Sequence, residues 1–293
     1  MTPEEVTREV RRLEITTRHL VRDIVAGEYS SAFRGRGVEF AEVREYQPGD
    51  DIRTIDWNVT ARLGAAYVKR YLEERELTVL FVVDRSASER FGSRVRTRGE
   101  LAGEVVTVLA LAAARNNDRV GLLLATDRIE HYTAPRKGRR HALRVVSELL
   151  GFEPTGTGTD LGAALESLEA LLRRRAVIFV MSDFLTGGWA PALGRLARRH
   201  DVIAVELTDL RERELPDAGP VTLWDPESGD WRVVDTGDRR VREHFRREAE
   251  AFERGLERTI TERGADLLRL ETGRSYAEPL LGFFRRRERM LGR

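Results

Sequence analysis

Leu77-Thr78-Val79-Leu80-Phe81-Val82-Val83-Asp84-Arg85-Ser86-Ala87-Ser88 decides the fold. An apolar run from Leu77 to Val83 with no polar alternation is the pattern of a strand covered on both faces. It stops on a carboxylate and two hydroxyls, so the polar groups gather at the strand's carboxyl end. Working outward, the chain alternates helix and apolar strand. A helix is expected from about Gly99 to Arg115 and a strand from Arg119 to Ala125, with Arg128 to Thr133 returning beside it. Helices follow near Arg139 to Leu150, Asp160 to Arg174 and Ala190 to Arg199, and strands at Ala176 to Met181 and Val202 to Leu207. Such alternation predicts an α/β fold, a doubly wound and mostly parallel sheet covered on both faces.

Beyond Asp209, a hairpin is expected from Val221–Trp224 and Trp231–Val234, turning at Pro226 to Gly229. A charged helix from about Arg239 to Glu262, a last strand at Ala265 to Leu270 and a closing helix around Tyr276 to Arg289 complete residues 77–293, with the hairpin as an insertion near 220–236. Residues 1–76 read differently. Val6, Val10, Leu13, Leu20, Val21 and Ile24 fall near one face of a helix stopping at Gly27. From 33 to 76 glycines and the Gln47-Pro48-Gly49-Asp50-Asp51 turn punctuate strand-like pieces, Val38-Glu39-Phe40 and Tyr67 to Tyr71, giving a small irregular α+β lead-in. Trp57 is expected as a core or interdomain anchor.

Composition narrows the function classes. A net charge of +1 with 34% charged residues gives no basic surplus for nucleic acid. The runs Arg173-Arg174-Arg175 and Arg285-Arg286-Arg287 are expected as solvated helix faces. With no cysteine in the chain, disulfides, thiolate catalysis and thiolate-bound zinc are excluded. The apolar stretch Val105 to Ala114 falls well short of the ~20 residues needed to cross a bilayer. The acidic start Met1-Thr2-Pro3-Glu4-Glu5 lacks a basic leader, so no membrane span and a cytoplasmic location are expected. The five histidines are scattered, without metal-ligand spacing.

Three segments carry chemistry: Asp84-Arg85-Ser86-Ala87-Ser88, then Gly156-Thr157-Gly158-Thr159-Asp160 before a helix, then Ser182-Asp183 closing the strand at 177–181. Carboxylates and hydroxyls are hard donors suited to magnesium or manganese. If Asp84 and Asp183 close neighbouring strands where the sheet reverses its order, their carboxylates converge there. Each residue also has a simpler use: Asp84 and Ser86 can cap loop N–H groups, Thr159 can serve as an N-cap, and Asp160 suits a positive helix start.

At these segments the sequence resembles the von Willebrand factor A family and its metal-ion-dependent adhesion site. That resemblance implies a Rossmann-like domain with a Mg2+ or Mn2+ site formed by Asp84, Ser86, Ser88, Thr159 and Asp183. The Ala164-Leu165 pair sets the alignment of Thr159. The hydroxyls would coordinate directly, the carboxylates partly through water, and a partner's carboxylate would fill the open position. The chain departs at Ser182-Asp183-Phe184, where the family often has Thr-Asp-Gly. Gly35 to Phe40, Val43 to Arg53, Ile55 to Arg62 and Val68-Lys69-Arg70 resemble the signature of the domain of unknown function 58 family. Such members pair the segment with an A-type domain, and the resemblance implies a bacterial adaptor working with a MoxR-type AAA+ ATPase or a carboxylate-presenting client.

Two function classes follow. The first is a non-catalytic, metal-dependent protein-interaction module. The second is a divalent-metal-dependent hydrolase or phosphatase using Asp84 or Ser86. Against it, the position two after Asp84 is Ser86 where a dehalogenase-type phosphatase needs a second aspartate. The Gly-x-Ser-x-Gly elbow and the phosphate-binding Gly-Lys-Ser/Thr loop are also missing from the sequence.

Overall fold

The computed structural model describes residues 1–25, 32–33, 39–72, 76–156, 158–224 and 229–291, with residues 39–42 and 69–72 as backbone. The expected stop at Gly27, the strand start at Val38 and most of the 226–229 turn lie outside them.

Helix α1 (Pro3–Thr16) opens on a capping box in which Thr2 and Glu5 exchange hydrogen bonds. The single helix expected here divides at Thr17, whose buried hydroxyl donates back to the Leu13 carbonyl at 2.6 Å. Helix α2 (Arg18–Asp23) follows. Strands β1 (Glu39–Glu45) and β2 (Tyr67–Leu72) form an antiparallel pair, with α3 (Trp57–Leu63) between them. Asp50 accepts from the Gln47 N–H and is gripped by both ends of Arg44, and Asp51 caps the turn that follows. Trp57 is not the anchor expected: it is 66% exposed, and this two-turn helix buries none of its residues.

The main sheet adds β3 (Thr78–Asp84), β4 (Arg119–Ala125), β5 (Ile129–Lys137), β6 (Val177–Ser182), β7 (Asp201–Thr208) and, after the hairpin, β10 (Asp266–Glu271). Their order is β10-β7-β6-β3-β4-β5, parallel throughout except for the β4–β5 hairpin. From central β3 the chain winds one way to β5. It then returns to the other side of β3 and winds outward to β10. The switch therefore falls between β3 and β6.

Period-two side-chain alternation divides β3 between two cores. Val79, Phe81 and Val83 meet α4 (Arg98–Arg115) and α5 (Arg139–Gly151) on one face. Leu80 and Val82 meet α6 (Leu161–Leu171) and α7 (Trp189–Ala197) on the other. Strands β8 (Pro220–Trp224) and β9 (Trp231–Asp235) form a separate exposed hairpin. Helix α8 (Arg239–Glu262) buries Leu256 and Ile260, and α9 (Ala277–Leu291) closes the first core with Leu280, Phe283 and Phe284. Within the basic run 285–287, Arg287 is buried rather than solvated. Its guanidinium bridges Asp201 and Asp266, each at 2.5 Å, and lies over the Phe33 ring. The carboxylates at the amino ends of β7 and β10 draw it inward.

Candidate metal centre

Parallel pairing of β3 with β6 aligns Val83 with Met181, so both strands end at the same level on the rim. Asp84 ends β3 and is 2% exposed. One carboxylate oxygen accepts from the Ser86 N–H and the other from the Ser182 hydroxyl, each at 2.9 Å. The turn this makes brings the Ser86 and Ser88 hydroxyls within 3.0 Å of each other. Asp183 lies one residue past β6, buried, with its Oδ1 accepting from the Leu185 N–H. Phe184 takes φ +57°, the left-handed conformation glycine favours, so the loop keeps a glycine-like turn despite its side chain. Burial of its ring edge-on to Trp189, centroids 5.2 Å apart, offsets that strain.

Thr159 reaches the rim from the other side. Arg85 N–H bonds the Ala125 carbonyl at the end of β4, and Asp160 N–H bonds the next carbonyl, Thr126, at 2.9 Å. Glu130 holds the loop before it, accepting from the Gly156 N–H at 2.6 Å and from the Thr155 hydroxyl. A Cβ at Gly156 would lie 2.3 Å from Asp127 Oδ1 and Thr126 Oγ1, so a side chain there would push these neighbours aside. The N-cap of α6 is Asp160, accepting from the Ala163 N–H, not Thr159 as sequence suggested. Thr159 is left half-buried beside the end of β4. Asp84, Ser86, Ser88 and Asp183 thus come together at the switch point, with Thr159 carried to the flanking strand's end.

Charged residues that sequence reasoning missed surround them. Arg98, buried at the first turn of α4, places Nη1 3.0 Å from Asp183 and 2.5 Å from Glu212, while Nη2 donates to the Ser88 carbonyl. Glu89 is 3% exposed, and its carboxylate lies 3.9 Å from Arg98 Nε. A signal for Arg98 existed: an arginine in a helix's first turn opposes the macrodipole unless anions face it. Glu89 had none beyond adjacency to Ser88. Burial, with the Asp183 charge adding to it, pushes the Asp84 carboxyl up, against the Ser86 hydrogen bond. Burial likewise holds Glu89 well above the usual carboxylate range and raises Glu212. Burial lowers Arg98, but Asp183, Glu212 and Glu89 outweigh it and hold the guanidinium firmly charged.

The loop following the first segment is fastened from across the rim. Asp209, buried just past β7, accepts from the Ser93 N–H at 2.9 Å, the Ser93 hydroxyl at 2.5 Å, the Arg211 N–H and the Thr272 hydroxyl.

Among the described residues no three His, Cys, Asp or Glu side chains converge in metal-binding geometry. The donor set here is mixed, two carboxylates with hydroxyls. Its chemistry fits a hard divalent ion, since the Asp84 and Asp183 carboxyls and the Ser86 and Ser88 hydroxyls are all oxygen donors.

A model described as protein of unknown function DUF58 matches residues 42–254. The chain belongs to that family. DUF58 relatives include Mycobacterium tuberculosis "Uncharacterized protein Rv1480", 36% identical over 284 residues, covering 96% of this chain and 89% of that one. Mycobacterium avium "Uncharacterized protein MAV169" is 39% identical over 46% of this chain and 80% of its own. Among solved structures, the conserved hypothetical protein BatB from Bacteroides thetaiotaomicron aligns at 14% identity over 73% of this chain and 99% of its own, TM-score 0.46. The SpRpn10 VWA domain aligns at 12% over 71% and 95%, TM-score 0.39. The fold of this DUF58 chain is assigned on its own strand order, independently of these likenesses.

Proposed function

We propose that this DUF58 chain is a non-catalytic interaction module in which Asp84, Ser86, Ser88, Thr159 and Asp183 hold Mg2+ or Mn2+ for a partner's carboxylate. The observation that carries this is the meeting of Asp84, the Ser86–Ser88 hydroxyl pair and Asp183 at the switch point. When bound, the ion supplies a Lewis-acidic position that a carboxylate can complete. Beside Asp183 a cavity of about 330 Å3, walled by Leu185, Phe245 and Phe252, gives a partner further surface to fill. Family resemblance supports a MoxR-type AAA+ ATPase as the partner, with the chain as its cytoplasmic adaptor. None of the described helices is long and apolar enough to cross a membrane.

A hydrolase using Asp84 or Ser86 gains no comparable support. The Ser86 hydroxyl bonds Ser88, while His131 pairs with Glu148, His141 with the Val120 carbonyl and His200 with the Ala176 N–H, all elsewhere. The purified chain, immobilised, should retain the source organism's MoxR-type ATPase in magnesium and release it in chelator. Retention that ignores chelator would contradict the metal-dependent module.

A further inference from the structure

The two pieces of the first helical segment border a cleft at the end of the molecule opposite the metal rim. The break at Thr17 sends α1 mainly along α5 and α2 along α4. Helix α4 begins at the rim with Arg98 and runs 18 residues, about 27 Å, before ending at Arg115. There the helices enclose a cavity of about 470 Å3. Val21, Leu111 and Ala114 form its apolar wall, since Leu111, Ala114 and Arg115 share one face of the last turn of α4. Ile15 also lines it and is left 73% exposed.

Charge at this cavity is one-sided. Arg18, Arg115 and Arg139 line it against a single carboxylate, Glu14, which Arg139 already engages. Arg18 and Arg115 have no hydrogen-bond or ion-pair partner among the described residues. The neighbouring acids are occupied elsewhere or face away. Asp118, buried, accepts from the Leu77 N–H; Glu76 pairs with Lys137 and Arg119, and Glu9 pairs with Arg12. Asp23 is five residues from Arg18 on α2, which puts it on another face of that helix. Arg11, Arg22 and Arg140, on the same three helices α1, α2 and α5, add to the positive side.

An apolar wall rimmed by unpaired guanidiniums is complementary to a molecule with an apolar body and an anionic head. The planar guanidinium donates paired hydrogen bonds to a carboxylate or phosphate, and a cavity of this size suits a small ligand. We propose that the cleft is a binding site for a small amphipathic anion. Its apolar body would lie against Ile15, Val21 and Leu111, and its carboxylate or phosphate on Arg18 and Arg115. The site is separate from the metal centre and does not depend on it.

Calorimetric titration of the full chain with octyl phosphate and with octanoate, each below its micelle concentration, tests this. Octanol and inorganic phosphate serve as the two halves of the ligand. At least one amphiphile should bind saturably at one site, the tighter of the two naming the headgroup, and either half alone should bind at least about tenfold more weakly. Arg18→Gln/Arg115→Gln should weaken the amphiphile about tenfold or more with the melting temperature unchanged, because neither guanidinium holds the fold. Ala114→Phe, which fills the cavity, should also remove binding. No saturable binding by the wild type, equal binding of octanol or inorganic phosphate, or undiminished binding by the double variant would each overturn the inference. Chelator should leave these affinities untouched, so a failure here is distinguishable from a failure of the metal reading.

Discussion

At the residue scale, Asp209 shows how firmly the rim is built. Burial works to raise its pKa, but the hydrogen bonds from Ser93, Thr272 and Arg211 bring it down to about 2. A carboxylate depressed on folding contributes stability that is complete above its unfolded value near 4 and disappears as pH falls toward 2. Asp209→Asn should therefore cost roughly 2 kcal/mol near pH 6 and almost nothing near pH 2, measured by urea unfolding of both proteins. A gap that persists at pH 2 would assign the loss to shape rather than charge. Asp84, Ser86, Ser88, Thr159 and Asp183 were legible in the sequence because each sits at the end of a periodic element. Glu89, Glu212 and Asp209 were not, and Arg98 showed only as an arginine at a helix start. Their roles depend on charges brought together across the rim from distant segments, which local periodicity does not encode.

At the scale of elements, the loop from Phe152 to Asp160 carries the most specific constraint. Glu130 holds it from β5, and Gly156 passes so close to Thr126 and Asp127 that an added Cβ would force their side chains to shift. Gly156→Ala should displace the loop, lowering stability by about 1–3 kcal/mol and weakening magnesium binding through Thr159 while leaving the β3–β6 half of the rim intact. Unaltered magnesium affinity, by calorimetry, would remove Thr159 from the donor set. Strands and long helices were readable to within a few residues, since unbroken apolar runs and helical stripes report burial directly. The division at Thr17, the helix α3 inside the lead-in and the exposure of Trp57 were not. A side chain bonding back to its own helix, and a short segment that buries nothing, leave no periodic trace. Arg287 misled for a related reason: a basic run looks solvated until the carboxylates of β7 and β10 are placed beside it.

For the whole molecule, winding order converts sequence into a site. Because β4 and β5 lie to one side of β3 and β6, β7 and β10 to the other, the loops after β3 and β6 stand side by side where the winding reverses. Three segments spread over a hundred residues bring oxygen donors to that rim. Titration of the intact chain with magnesium, set against Asp84→Ala under the same conditions, measures whether a cation binds among them. Saturable binding of one ion by the wild type, abolished in the variant, is the predicted result. No binding by the wild type, or equal binding by both, would contradict a metal centre at this rim.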